Sequence, residues 1–324
     1  MSLNGTSELS EPVAGLIGKL RKRGAKTVAL QFPEGLKRKA AGVAAALREA
    51  GFEVIVSGDP CYGACDLALG MLEYADVLVH FGHAPVDERQ DVICEPYPVG
   101  FDITVLEKAI PLLGGARAGL VTTVQHAHLV PVMEAFLKAH GVAVEVAGGS
   151  GRTPLPGQVL GCRFEAAKIP GADIILFVGT GRFHPTGIAL ATGKRVIALD
   201  PLASTAGEVT AEALLRRRFA AIEKARKAST IGILVSSKSG QNRIRLARQL
   251  AGLGGPGGNA VLVMMCEVSP GELLNLGFGA YVNTACPRLA YDDQVRFPVP
   301  VLSPPEYEIL RGVRSWDEYT IDEI

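Results

Sequence analysis

Cysteine chemistry is the first thing this 324-residue chain offers, through Cys61, Cys65, Cys94, Cys162, Cys266 and Cys286. Four of the six stand in three turn-forming stretches: Gly58-Asp-Pro-Cys-Tyr-Gly-Ala-Cys-Asp66, Gly161-Cys162 and Asn283-Thr-Ala-Cys-Pro-Arg288. Six cysteines spread this widely do not make a disulfide scaffold. They are packing residues, nucleophiles or metal ligands. Thiolates are soft ligands, and three at one point suit iron–sulfur or zinc. A cubane held by three cysteines leaves one iron without a protein ligand, and that iron can bind substrate. A buried cysteine is as often a small apolar residue. That reading is taken for Cys94 and Cys266, on strands predicted at Val92–Cys94 and Val261–Cys266. Cys65 fits either a C-x-x-x-C pair sharing a cluster or the start of a helix running through Met71.

The elements that must position these residues follow a pattern that runs three times. Thr27–Phe32 predicts a strand, Leu36–Ala50 an amphipathic helix closed by Gly51, and Glu53–Ser57, Asp76–Phe81 and Asp91–Cys94 further strands. The second pass has strands at Ala118–Thr123, Val142–Val146, Asp173–Val178 and Arg195–Leu199, with a helix at Leu129–His140. The third has strands at Thr230–Ser236, Asn259–Met264, Ala280–Thr284 and Val299–Leu302, with a helix at Asn242–Leu253. A Gly-closed helix between two β-branched runs is a βαβ unit with a right-handed crossover. The fold class is therefore α/β: three similar small parallel-sheet domains, at 1–114, 115–226 and 227–324. The basic helix Thr210–Ala228 bridges the second and third. One large doubly wound sheet is the alternative. Ligands of such sheets bind beyond the carboxyl ends of the strands. Cys61, Cys162 and Cys286 fall at such ends, one per unit.

Composition narrows the partners. Lys and Arg number 33, as do Asp and Glu, so the formal charge is zero. Neutrality gives no support for electrostatic binding to nucleic acid or an anionic membrane. A hydrophobic fraction of 48% supplies ample core and argues against disorder. No apolar run approaches the roughly 20 residues a bilayer requires. Met1–Pro12 is polar, without the apolar stretch of a signal peptide. The expectation is a soluble, cytoplasmic protein.

Phe32-Pro-Glu-Gly35, the Cys61 stretch and Val282-Asn-Thr-Ala-Cys-Pro-Arg288 together resemble the archaeal diphthamide synthase radical subunit, from about Gly24 to Pro305. The resemblance implies a homodimer of three-domain subunits, each holding a 4Fe–4S cluster on Cys61, Cys162 and Cys286. It implies a non-classical radical enzyme using S-adenosyl-L-methionine, without the C-x-x-x-C-x-x-C motif, which this sequence also lacks. Such an enzyme cleaves the bond from sulfur to the γ-carbon. The 3-amino-3-carboxypropyl group passes to C2 of a histidine in translation elongation factor 2, the first step of diphthamide biosynthesis, and methylthioadenosine is released. An electron donor is implied but not identified.

Within that scheme the residue chemistry suggests further contacts. Arg288, two residues past Cys286, can clamp the methionyl carboxylate bidentately; it can equally be a surface arginine. Gln241 and Ser237, on the loop entering the third unit's helix, can take the ammonium, or that loop's backbone N–H groups the carboxylate. Glu34 and Gly35 at the first strand end can hold the amino group or the ribose, although Glu34 also suits a plain helix start. His184 can orient substrate or accept the C2 proton, or simply anchor its loop. Rival readings are a quinolinate synthase-like 4Fe–4S dehydratase, a non-catalytic iron–sulfur helper subunit and a plain phosphate-binding protein. Methylthioadenosine formation separates the first reading from all three.

Overall fold

The computed structural model describes residues 10–253 and 259–324. The expectation attached to Met1–Pro12 falls mostly outside them. The chain forms two compact units, Met1–Pro98 and Val99–Ile324.

In the first unit, α1 (Ser10–Lys22) precedes β1 (Thr27–Gln31), α2 (Ala40–Glu49), β2 (Glu53–Val56), β3 (Val77–Phe81) and β4 (Val92–Glu95). The strands are all parallel in the order β2-β1-β3-β4. A central parallel strand is covered on both faces and so carries a continuous apolar run; Val28, Ala29 and Leu30 are fully buried. One face packs on Leu16 and Leu20 of α1 and Val43 and Leu47 of α2. The other carries Leu78 and Val92, with Leu67, Leu72 and Cys94 against it. Gly51, at φ +95°, closes α2 in a conformation that suits glycine and turns the chain into β2.

The second unit opens with α3 (Ile110–Leu113), β5 (Ala118–Thr122), α4 (Val130–Ala139), β6 (Val144–Glu145), β7 (Ile174–Val178), α5 (Phe183–Thr192), β8 (Arg195–Asp200) and β9 (Thr205–Val209). These strands form a sheet in the order β6-β5-β7-β8-β9. The last pair is antiparallel, a strand the periodicity did not announce. Leu106, Ala109 and Leu113, placed by sequence in the first domain, are buried in the core of this second sheet.

Next come α6 (Glu212–Ala225), β10 (Thr230–Ser236), α7 (Ile244–Ala251), β11 (Asn259–Met265), α8 (Pro270–Leu276), β12 (Ala280–Asn283), α9 (Arg288–Tyr291), β13 (Val301–Leu302) and α10 (Pro304–Arg311). The third sheet runs β11-β10-β12-β13, all parallel. Each sheet thus repeats one order: second strand, first, third, fourth. The triplicated α/β architecture is as expected. The α6 bridge is also as expected: Leu214 packs with the second sheet, and Ala221, Ile222 and Ala225 with the third. Between them Arg218, 1% exposed, forks onto Glu306 at 2.8 and 2.6 Å and donates to the carbonyls of Ala290 and Val301. Among the described residues no helix is long and apolar enough to cross a membrane.

Candidate functional site

In the first unit, the loop after β2 presents Cys61, which is buried, while Tyr62 beside it is exposed. Side chains from β1 and β3 hold this loop. Gln31 Nε2 donates to the Asp66 carbonyl at 2.7 Å, and Gln31 Oε1 accepts the Ala68 N–H at 3.1 Å. The same oxygen meets His80 Nδ1 at 2.8 Å, and His80 Nε2 meets His83 Nδ1 at 2.9 Å. Burial, followed by the charge of His83, pushes the His80 pKa down to about 3. The Asp66 N–H donates to the Gly63 carbonyl, and the Asp66 carboxylate accepts the Tyr62 N–H, so the Cys61–Asp66 turn is tied internally as well.

In the second unit, Cys162 lies in the long connection between β6 and β7, beyond Gln158, which bridges to the end of β5 in parallel fashion. Gly161 is packed by Phe183: a Cβ there would lie 2.3 Å from the ring. Cys286 follows β12, in a turn set by Asn283, whose amide donates to the Cys286 carbonyl at 2.8 Å and whose Oδ1 accepts the Ala285 N–H. Arg288 lies over the Phe183 ring, 5.7 Å from its centroid. One aromatic side chain therefore touches the neighbourhoods of both cysteines. Ile321–Ile324 does so as well: the Ile324 N–H donates to the Cys162 carbonyl at 2.8 Å, and Asp322 pairs with Arg243, which donates to the carbonyls of Thr284 and Ala285.

The three cysteines stand one to a sheet at carboxyl-end loops, but the loops are not equivalent throughout. Cys61 and Cys162 follow the second strand of their sheets, whereas Cys286 follows the third. The end of β11, the topological counterpart, carries Cys266. That residue was expected to pack on a strand; it lies just past the last strand residue and is exposed. Cys94 does pack within the first unit, and burial pushes its thiol up to about 11. Cys65 begins no helix: it lies within the turn that the Asp66 N–H closes onto the Gly63 carbonyl, and the nearest helical segment is a 3-10 turn at Leu69–Glu73.

Arg288 is exposed and pairs with Asp292 at 2.9 Å on the first turn of α9. Gln241 is buried in the loop between β10 and α7, and Ser237 in that loop is exposed. Arg152 of the second sheet's long connection donates to the Gly240 carbonyl at 3.0 Å, joining that connection to the same loop. Glu34, exposed, pairs with Lys37 at 2.7 Å in a 3-10 turn, and Gly35 is exposed beside it. His184 stacks on Phe177 at the start of α5, and burial, with the Arg288 charge second, pushes its pKa down to about 4. Sequence reading missed the Arg243–Asp322 pair, because residues 79 positions apart leave no local pattern.

Each sheet offers one thiol in a strand-end loop, and thiolates are soft ligands whose chemistry suits iron–sulfur better than a hard cation. A sequence profile of the family described as "Putative diphthamide synthesis protein" matches residues 32–321. The chain belongs to this diphthamide synthesis family. It is 38% identical to the 2-(3-amino-3-carboxypropyl)histidine synthase of Pyrococcus horikoshii, over 97% of this chain and 93% of that protein. The enzyme of the same name from Methanocaldococcus jannaschii is 26% identical, over 97% of this chain and 92% of that one. Among solved structures, Dph2 from Pyrococcus horikoshii with a 4Fe–4S cluster superimposes with a TM-score of 0.90 at 37% identity, over 97% of this chain and 93% of the other. Members of the diphthamide synthesis family this similar share a fold along their whole length, and the expected family and α/β class both hold.

Proposed function

We propose that this chain is a 2-(3-amino-3-carboxypropyl)histidine synthase, transferring the 3-amino-3-carboxypropyl group of S-adenosyl-L-methionine to C2 of a histidine in elongation factor 2. The full-length identity to named synthases carries the reading, and one strand-end cysteine per sheet supports it. Cys61, Cys162 and Cys286 hold a 4Fe–4S cluster. When bound, a cluster there would supply the electron that breaks the bond from sulfur to the γ-carbon and take one electron back as the radical adduct at C2 loses its proton, so that the transfer is redox-neutral overall.

The remaining work falls to the chain's own residues. Arg288 turns from Asp292 to the methionyl carboxylate, an exchange of one carboxylate partner for another. Gln241 and Ser237 orient the ammonium from the loop before α7, and Glu34 and Gly35 hold the amino group or ribose. His184 is a neutral ring, burial having pushed its pKa down to about 4, which suits it to orient the acceptor imidazole by hydrogen bonding; as a base for the C2 proton it would be weak. Selectivity among three carbon–sulfur bonds is positional, set by which carbon these contacts turn toward the cluster. A three-domain organisation, an external electron donor, a cytoplasmic location and a homodimer belong to the same reading.

The test is anaerobic. The protein is reconstituted with iron and sulfide, reduced with dithionite and given S-adenosyl-L-methionine, and nucleosides are separated by chromatography. Methylthioadenosine is expected, and it is lost in Cys61→Ala, Cys162→Ala and Cys286→Ala. Deoxyadenosine, or no nucleoside from an intact reduced cluster, would refute the proposed chemistry.

A further inference from the structure

Residues 321–324 connect the two cysteine turns of the second unit. Arg243, at the entry to α7, donates from Nε to the Thr284 carbonyl at 2.8 Å and from Nη2 to the Ala285 carbonyl at 3.3 Å. These are the two residues directly before Cys286. The same guanidinium forks onto both Asp322 oxygens at 2.8 and 2.6 Å, with the side chains 14% and 7% exposed. The Asp322 N–H donates to the Tyr291 hydroxyl at 2.9 Å, fixing the strap to α9. Glu323 accepts the Phe164 N–H at 3.0 Å and pairs with Lys168 at 2.7 Å, and the Ile324 N–H reaches the Cys162 carbonyl. Ile321 is buried in the second-sheet core with Phe164 and Tyr291.

We propose that the Arg243–Asp322 pair and the 321–324 strap form a positioning clamp that fixes the spacing between the Cys162 and Cys286 turns. The proposal rests on the assignment of those cysteines as cluster ligands. A bidentate arginine–carboxylate fork fixes orientation as well as distance. Here the Arg243 end is tied to the carbonyls just before Cys286. The Asp322 end reaches the Cys162 turn through the next two residues, Glu323 and Ile324, so drift of one turn strains the hydrogen bonds that hold the other. A rigid donor set is what a cluster site needs, since first-shell ligands depend on the groups that hold them. Neither Arg243 nor Asp322 needs to touch the cluster or substrate; both act through the backbone.

Asp322→Asn and Arg243→Lys test this without the loaded enzyme's activity. In the cluster-free protein, iodoacetamide labelling is followed peptide by peptide, with Cys61 of the first unit as internal reference. Cys162 and Cys286 are expected to label about tenfold faster in Asp322→Asn, corresponding to ~1.4 kcal/mol of easier local opening. Cys61 and the far-UV circular dichroism should stay as in the parent. After reconstitution and reduction, the electron paramagnetic resonance of the cluster should broaden or shift in g-value. Should Asp322→Asn fail to fold, Arg243→Lys carries the same readouts, because it keeps the charge and loses the fork. Unchanged labelling and resonance in a protein whose Cys162→Ala and Cys286→Ala forms lose iron would overturn the clamp and leave the ligand assignment standing. Iron retained by Cys162→Ala and Cys286→Ala would overturn the ligand assignment, and with it the clamp's role toward the cluster.

Discussion

Hydrogen bonding leaves His80 a single neutral form. Gln31 donates through Nε2 to a carbonyl and accepts an N–H through Oε1, so its amide orientation is fixed. His80 Nδ1 must then donate to that oxygen, and His80 Nε2 must accept from His83 Nδ1. A second proton on His80 would face a donor, and the ring is fully buried. The unfolded chain has no such restriction and titrates near ~6.5. With the native pKa down at about 3, the unfolded state binds more protons between these values. Stability is therefore full above pH ~6.5 and falls as pH drops toward ~3, at ~1.4 kcal/mol per pH unit. Urea unfolding at pH 5 should show ~2 kcal/mol less stability from this ring than at pH 7.5; equal stabilities would contradict the buried neutral state. Cysteine reactivity gives a second residue-scale prediction. At pH 8, Cys94, with its thiol pushed up to about 11, should be among the last cysteines to alkylate. Exposed Cys266 should react early. Mass-resolved labelling in the reverse order would refute it. Cys94 was readable from sequence because an apolar strand surrounds it. Cys266 was not, because one residue decides whether a side chain stays on a strand or leaves it.

Single elements show where packing overrides pattern. The parallel strands of the three sheets were legible because they are short, β-branched-rich apolar runs, and α2, α4 and α7 because glycine or a loop closes an amphipathic repeat. Helix α5 was not legible: Phe183–Thr192 contains Pro185 and Gly187, and its sequence reads as a turn. The structure explains the glycine. An ideal Cβ at Gly187 would lie 2.3 Å from the Phe164 ring, which is fully buried two residues past Cys162. The helix needs glycine there to approach the Cys162 loop. Gly187→Ala should cost ~1–3 kcal/mol through overpacking, despite alanine's better helix propensity. Gly42→Ala in α2 is the contrasting case, with nothing within 4 Å of the new methyl. It should stabilise by ~0.5–1 kcal/mol, because an exposed helix-interior glycine loses that much to alanine. Thermal or urea unfolding of the two variants checks both signs, and equal effects would refute the packing argument. The antiparallel β9 escaped notice for a related reason: Thr-Ala-Gly-Glu-Val has weak strand character and is held by its register with β8.

Across the whole molecule, the repeat of one strand order in three sheets was the most legible feature, because it is written in the spacing of many residues at once. The long-range ties were the least legible, as Arg218–Glu306 and Arg243–Asp322 show. The repeat also exposes a difference between sheets. In the second, β9 pairs with β8 beyond the four shared strands. The first ends on β2, which begins with Glu53. The third ends on β11, Asn-Ala-Val-Leu-Val-Met-Met, with no charge, and Val261, Leu262 and Met264 exposed. Sheet edges are ordinarily blunted by charge, proline or a covering segment, and among the described residues β11 has no strand on its outer side. An uncharged strand is self-complementary: paired antiparallel with its own copy about a twofold axis, it brings no like charges together and satisfies both rows of backbone groups. This edge is therefore the surface on which the proposed homodimer should close. Light scattering coupled to size exclusion should give twice the monomer mass for the parent and the monomer mass for Leu262→Lys combined with Met264→Lys, since two lysines per copy would face two more across the axis. A parent that runs as a monomer would remove the homodimer. A dimer that survives both lysines would move its interface away from β11, leaving the apolar edge to be covered by another partner.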